Sequence, residues 1–201
     1  TLSWEPGLRS VETGWQVVRA LEALQPRLTA DNRVQLRWET FCHEAEPLIA
    51  HVLAGPVRPA LAFNDHTSSM LLHQDVPVQD RPFDHVTPYP VTPFDAPRFQ
   101  KKVHDHARRA DIPAQDYADL LARIWERRPD VPAHITRVAA LARARSVPML
   151  SHDDSQTETR TYYRRLGARS AEFPMHERVF LAAREAGDHI ILGAPNAMRG
   201  G

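Results

Sequence analysis

Apolar residues recur along this chain with two different periods. In residues 11–25 they lie at helical spacing, at Val11, Trp15, Val18, Leu21 and Leu24, which predicts an amphipathic helix. The same spacing predicts helices over 44–54, over 98–127 in two pieces that part near Pro113, and over 131–145, 156–166 and 175–186. Short runs rich in strand formers predict strands over 33–41 (ending near Glu39), 59–65, 146–150, 168–173 and 189–194.

The regular alternation of short buried strands with helices indicates parallel βα units. Two architectures satisfy this order: an open doubly wound sheet, or part of a (β/α)₈ barrel. No strand is followed by G-x-G-x-x-G or by G-x-x-x-x-G-K-[ST], so the nucleotide-binding versions of the open sheet lose support.

Residues 67–97 interrupt this alternation. Six prolines lie in the stretch and no hydrophobic period survives there. A connection of this length is usually functional or disordered in a compact domain. We therefore interpret residues 1–201 as one partial catalytic domain that carries a proline-rich insertion at about 67–97.

Charge and cysteine content exclude several classes of protein. Lys+Arg and Asp+Glu both number 25, which gives no basic excess for a nucleic acid or an anionic membrane. The single cysteine, Cys42, excludes an internal disulfide and a cysteine-rich zinc site. A single cysteine is consistent with a reducing compartment. No apolar run approaches the ~20 residues of a membrane span, and no N-terminal signal is visible. We expect a cytoplasmic protein whose open sheet edges favour a homo-oligomer.

Polar and ionisable side chains collect just past the carboxyl ends of nearly all the predicted strands, where barrel enzymes place their catalytic groups. They are Glu39, Asp65-His66, His152-Asp153-Asp154, Glu172 and Asn196. Histidine and carboxylate together are ligands for zinc, manganese or iron, and such an ion makes hydroxide available near neutral pH. A single histidine after a strand is more often an ordinary loop residue, but His66 and His152 each follow an apolar strand beside an aspartate.

Other histidines and the cysteine have simpler interpretations. His104 and His106 spell H-x-H, but they lie in a helical segment, where positions two apart point about 200° apart. We interpret them as part of a solvated helix face. His43 and His51 do not have metal-binding spacing, and Cys42 is expected to be a buried small side chain.

Five motifs together resemble one known family. FNDHT (63–67), RWET (37–40), LSHDD (150–154), AEFP (171–174) and GAPNAMRGG (193–201) are similar to motifs of the amidohydrolase-superfamily diphosphatases of the carbon–phosphorus lyase pathway. The resemblance covers nearly the whole chain. It implies a (β/α)₈ barrel with a small β-sandwich, one or two divalent ions (Zn, Mn or Fe), and hydrolysis of α-D-ribose 1-methylphosphonate 5-triphosphate to the 5-phosphate and diphosphate.

The resemblance also assigns roles to individual residues. His66 and His152 match metal-binding histidines, and Glu39 matches a strand-end glutamate that we expect to be a metal ligand. Asp65 and Asp153 are expected to orient these ligands. Asn196 and Arg199 are expected to contact substrate phosphate, with Arg199 donating a fork of hydrogen bonds.

The sequence departs from the family pattern in several places. The family's first-strand metal motif is absent, and its last-strand aspartate, the expected general base, lies beyond Gly201. We therefore expect an incomplete barrel, without its first and last strands and its terminal β-sandwich. After His66 the family's Pro-Gly-Gln is replaced by Ser68-Ser69-Met70. Two alternatives stay open: an amidohydrolase with another substrate (a cyclic amide or phosphoester), or a truncated, inactive barrel fragment.

Overall fold

The computed structural model describes residues 1–72, 76, 83, 85, 88 and 91–193. In this part of the chain the strands are β1 (Arg33–Glu39), β2 (Arg58–Asn64), β3 (Met149–His152), β4 (Ser170–Glu172) and β5 (His189–Ile191). The helices are α1 (Val11–Leu24), α2 (Glu46–Ala54), α3 (His66–Leu71), α4 (Pro97–Ala110), α5 (Ala114–Trp125), α6 (Val131–Ala144), α7 (Thr157–Arg165) and α8 (Glu177–Glu185).

The strands form one parallel sheet in the order β1-β2-β3-β4-β5, so each strand pairs with the next one along the chain. A doubly wound sheet is marked by a reversal of strand order, and the described strands show no such reversal. Sequential parallel order is what neighbouring strands of a (β/α)₈ barrel have. The fold is therefore an α/β fold built on a parallel sheet.

One face of the sheet packs against helices. Leu36 and Trp38 of β1 and Leu61 and Phe63 of β2 belong to one buried cluster with α1, α2, α6 and Tyr163 of α7. Because side chains alternate along a strand, Gln35, Arg37 and Glu39 lie on the opposite face. The sheet therefore has an apolar face under helices and, at β1, a polar face.

A second apolar cluster joins α3, α4 and α5, which follow the carboxyl end of β2. Its buried members include Leu71, Phe99, Val103, Tyr117 and Leu121. Trp4 and Trp125 pack against both clusters, and Nε1 of Trp4 donates to Oγ1 of Thr67 at 2.9 Å. This contact ties the first residues of the chain to α3, next to His66.

The predicted order of helices and strands is confirmed, including the break between α4 and α5, except that α3 was not predicted. Strand boundaries differ from the predicted ones by one to three residues, and two differences matter at the site. The first residues of the 67–97 stretch form most of α3, because the Asp65 side chain caps that helix by accepting from the Ser68 amide at 2.8 Å. β3 begins at Met149, later than predicted, and His152 is its last residue. None of the helices in the described residues combines the length and apolar character needed to cross a membrane.

Candidate metal centre

Three acidic or imidazole side chains end strands of the sheet at the same edge. Glu39 is the last residue of β1, His152 of β3 and Glu172 of β4, and His152 and Glu172 are paired in the strand register. All three are buried. Parallel strands bring their carboxyl ends to one edge, so the chain positions these groups together without any contribution from loop sequence.

Glu39 holds His66 through both of its carboxylate oxygens. Oε2 accepts from the backbone N–H of His66 at 3.0 Å, and Oε1 contacts Nδ1 of the same residue. The contact at Nδ1 leaves Nε2 for another partner, and Nε2 lies 3.4 Å from Oδ2 of Asp153. The Glu39 side chain is almost fully buried, whereas about half of the His66 side chain is exposed. The His66 ring is therefore held by a buried carboxylate on one side and is accessible to solvent on the other.

Asp153 lies between the two histidines. Its Oδ2 is also 2.9 Å from Nδ1 of His152, and the two imidazole rings lie 5.7 Å apart, edge to face. One ligand atom from each of His66, His152 and Asp153 lies within 4.8 Å of the others. Imidazole nitrogen and carboxylate oxygen suit zinc, manganese or iron, so the donor set fits a divalent ion.

The charges at this site influence one another strongly. Hydrogen bonds to Asp153 and then Glu39 raise the pKa of His66 to about 10. Burial alone would raise the pKa of Asp153, but hydrogen bonds to His152 and His66 outweigh it and lower that pKa to about 2. Shifts of this kind occur at functional sites as well as in structural ion pairs. Here they show that Asp153 and Glu39 stabilise positive charge on His66. The same carboxylates would also stabilise a divalent cation at this site.

The backbone turns unusually after β3 and β4. Asp153 and Phe173 each follow the last residue of a strand and adopt left-handed conformations, with φ of 57° and 56°. Such conformations are uncommon outside glycine and cluster at functional sites. The Phe173 ring packs edge-on against His152 at 5.2 Å, and a Cβ at Gly193 would come 2.8 Å from that ring. The glycine that opens the GAPN motif is thus needed for this close approach.

The polar face of β1 supplies contacts that the sequence reasoning missed. Nε2 of Gln35 donates to Oε2 of Glu172 at 2.9 Å, and Nη2 of Arg37 contacts Nε2 of His152. His152 Nε2 also lies 3.8 Å from Oε2 of Glu172. The sequence RVQLRWE already indicated a polar face on this strand, because its polar residues alternate with Val34, Leu36 and Trp38.

A buried arginine supports the loops that carry the site. Arg160 of α7 bonds to the backbone oxygens of Ala168 and Ser170 and lies 3.4 Å from Asp154 and 3.3 Å from Asp188. It also contacts the hydroxyl of Ser151 on β3. One guanidinium therefore joins the carboxyl end of β3 to the amino ends of β4 and β5, and the sequence pattern did not single it out.

The remaining expected site residues fall in different places. Asp65 caps α3, and its other oxygen lies 3.7 Å from Nδ1 of the buried His85. Its expected role in orienting His66 stays a prediction. Asn196 and Arg199 lie outside the described residues, so their expected phosphate contacts also stay predictions.

Two interpretations of single residues have clear outcomes. Cys42 is buried, as expected. The solvated-face interpretation of the H-x-H pair is wrong for His106, although His104 is exposed. Nδ1 of His106 lies 2.7 Å from Oε1 of Glu5, which also accepts from Tyr117 at 2.6 Å. Helical spacing alone could not show that residue 5 packs against α4.

Comparison with known proteins gives one limited similarity. A stretch of 64 residues, 32% of this chain, is 41% identical to the α-D-ribose 1-methylphosphonate 5-triphosphate diphosphatase of Escherichia coli K12. The matched stretch spans only 17% of that enzyme's length. No family model and no solved structure matches the chain. The similarity supports a relationship to a hydrolase over a small part of the chain.

Proposed function

We propose that this chain belongs to a metal-dependent hydrolase of the amidohydrolase barrel type that cleaves a phosphoanhydride bond. The proposed substrate is α-D-ribose 1-methylphosphonate 5-triphosphate, and the products are the 5-phosphate and diphosphate. The observation that carries the proposal is the convergence of His66, His152 and Asp153 at the carboxyl edge of a parallel sheet in sequential order. The limited similarity to the E. coli diphosphatase supplies the substrate class.

The reaction consumes one water. The oxygen of that water bonds to the phosphorus nearest the ribose, the bond from this phosphorus to the bridging oxygen breaks, and diphosphate leaves with that oxygen. One proton passes to solvent near neutral pH. A bound divalent ion supplies charge stabilisation on phosphoryl oxygens and lowers the pKa of water.

The residues of the chain have separate tasks in this proposal. His66, His152 and Asp153 hold the ion. Glu39 fixes the His66 ring by its contact at Nδ1 and, as the family resemblance implies, is itself a candidate ligand. Because the other charged groups at the site are carboxylates, the phosphates that do not contact the ion need cationic partners elsewhere.

The full-length protein that contains these residues tests the proposal. It would be incubated with the ribose triphosphate and Mn²⁺ or Zn²⁺, and diphosphate would be followed by ³¹P NMR. We expect release with metal, none with EDTA, and at least a ~100-fold loss in His152→Asn, since a ligand is removed. Absence of diphosphate with every metal would refute the proposed reaction.

A second candidate keeps the hydrolase class and changes the substrate to a cyclic amide or another phosphoester. Ser68, Ser69 and Met70, which replace the family's Pro-Gly-Gln after His66, favour it, since Ser69 and Met70 line a cavity beside the site. A panel of cyclic amides, phosphomonoesters and phosphodiesters would discriminate. Turnover of one of these with the triphosphate left intact would support the second candidate over the first.

A further inference from the structure

A cavity of about 410 Å³ opens beside the Glu39–His66 pair and is bordered by the first residues of the chain. It is lined by Arg9, Arg37 and Lys102, together with Glu5, Glu39 and His66. Its size is that of a small-molecule site. We call it the Arg37 cavity.

We infer that the Arg37 cavity binds the outer phosphates of an oligophosphate substrate, which become the leaving diphosphate. The inference deepens the proposed function and rests on it for the identity of the substrate. Three permanent cations line one small volume that borders the candidate metal centre. An oligophosphate is the ligand class whose charge and length match a row of cations leading to a metal.

The acids of the cavity do not cancel these cations. Glu5 accepts from Tyr117 at 2.6 Å and lies 2.7 Å from Nδ1 of His106, so its carboxylate is already engaged in hydrogen bonds. Glu39 holds His66 in the same way. The lining contains three cations, Arg9, Arg37 and Lys102, against two carboxylates, so the cavity carries an excess of positive charge, which attracts anions.

Arg37 connects the cavity to the chemistry. Its Nη2 contacts Nε2 of His152, and its side chain also lines the cavity. Arg37 therefore joins the candidate metal centre to the proposed anion site.

The test uses inorganic tripolyphosphate and isothermal titration calorimetry, in EDTA and again with Mn²⁺. We expect binding without metal, and we expect Arg9→Gln and Lys102→Gln each to weaken it about tenfold, the effect of one lost charge-assisted hydrogen bond. Lys101→Gln is the matched control, because Lys101 is the exposed neighbour of Lys102 on α4 and does not line the cavity. Circular dichroism would check that each variant is folded.

The outcomes separate this inference from the proposed reaction. Tripolyphosphate binding that Arg9→Gln and Lys102→Gln weaken supports the anion site even if no diphosphate is ever released. Equal binding in the two variants and in Lys101→Gln, or no binding by the unmodified protein, overturns the inference while leaving hydrolysis possible. In a full-length protein that turns over the triphosphate, Lys102→Gln should raise KM more than it lowers kcat.

Discussion

The carboxylate of Glu39 receives the backbone N–H of His66 at 3.0 Å on one oxygen and contacts the imidazole Nδ1 on the other. Glu39 ends β1 and His66 begins α3, so the pair links two elements that are 27 positions apart. Side chains that hold a metal ligand in this way fix its ring and tautomer. The arrangement makes Glu39 the residue on which the geometry of His66 depends.

Glu39→Gln should therefore weaken metal binding by about 10- to 100-fold, since an amide cannot accept from both N–H groups of His66. Affinity for Zn²⁺ or Mn²⁺ would be measured by competition with a chromophoric chelator. The matched substitution is Glu126→Gln, at an exposed position just after α5. Equal affinities in the two variants would show that Glu39 does not support the site.

The left-handed backbone at Asp153 predicts a difference between two neutral substitutions. Asn adopts this conformation more readily than Ala does, and both remove the charge. Asp153→Ala should be less stable than Asp153→Asn by roughly 1 kcal/mol. Urea unfolding of both variants, in EDTA, measures this difference. If Ala proved as stable as Asn, the backbone at this position would not be strained.

Arg160 predicts a large loss of stability on substitution. Asp154 and Asp188 are buried beside it, and Arg160→Met would remove the cation 3.4 Å from Asp154, whereas Asp188 would keep Arg164 at 3.1 Å. Removing one partner of a buried ion pair costs about 3–5 kcal/mol. Arg165→Met, at an exposed position of the same helix, should change the free energy of unfolding by less than about 0.5 kcal/mol. Similar effects in both variants would contradict the network.

His43 predicts an acid-sensitive contribution to stability. Burial, then the charge of His134 stacked on it at 3.6 Å, lowers the pKa of His43 from 6.5 to about 4. Below pH 6.5 the unfolded chain binds the proton more readily than the folded chain, so stability falls as the pH drops from about 6.5 to about 4.

His43→Phe should reduce this loss, because phenylalanine keeps a stacked ring and cannot bind a proton. Urea midpoints at pH 7.5 and pH 5, both in EDTA, would be compared with those of His104→Phe, a change at an exposed position. The same midpoint shift in both variants would remove His43 as the cause.

The order of helices and strands could be predicted from the sequence because each element has its own hydrophobic periodicity. Val18 of α1 and Phe63 of β2 are buried where hydrophobic spacing places them. The strand ends at Glu39 and Glu172 followed in the same way. His152 shows the limit, since the short run SVPML did not reveal that the strand continues through it.

The parts that sequence did not predict depend on contacts between distant residues. His106 meets Glu5 across 101 positions and Arg37 meets His152 across 115, and no local pattern encodes such partners. The left-handed turn that aims Asp153 at both histidines is likewise set by the packing around it. Asp153 was expected to orient the ligands, and its position makes it a candidate ligand in its own right.

We propose that His66, His152 and Asp153 form a metal centre that hydrolyses a phosphoanhydride, and ³¹P NMR of the ribose triphosphate tests this most directly. The full-length protein, either unmodified or carrying His66→Asn, would be incubated with the substrate and Mn²⁺ or Zn²⁺. We expect diphosphate to appear only when metal is present, and we expect His66→Asn to abolish its release. Diphosphate release that continues in EDTA, or no release with any divalent ion, would contradict the proposal.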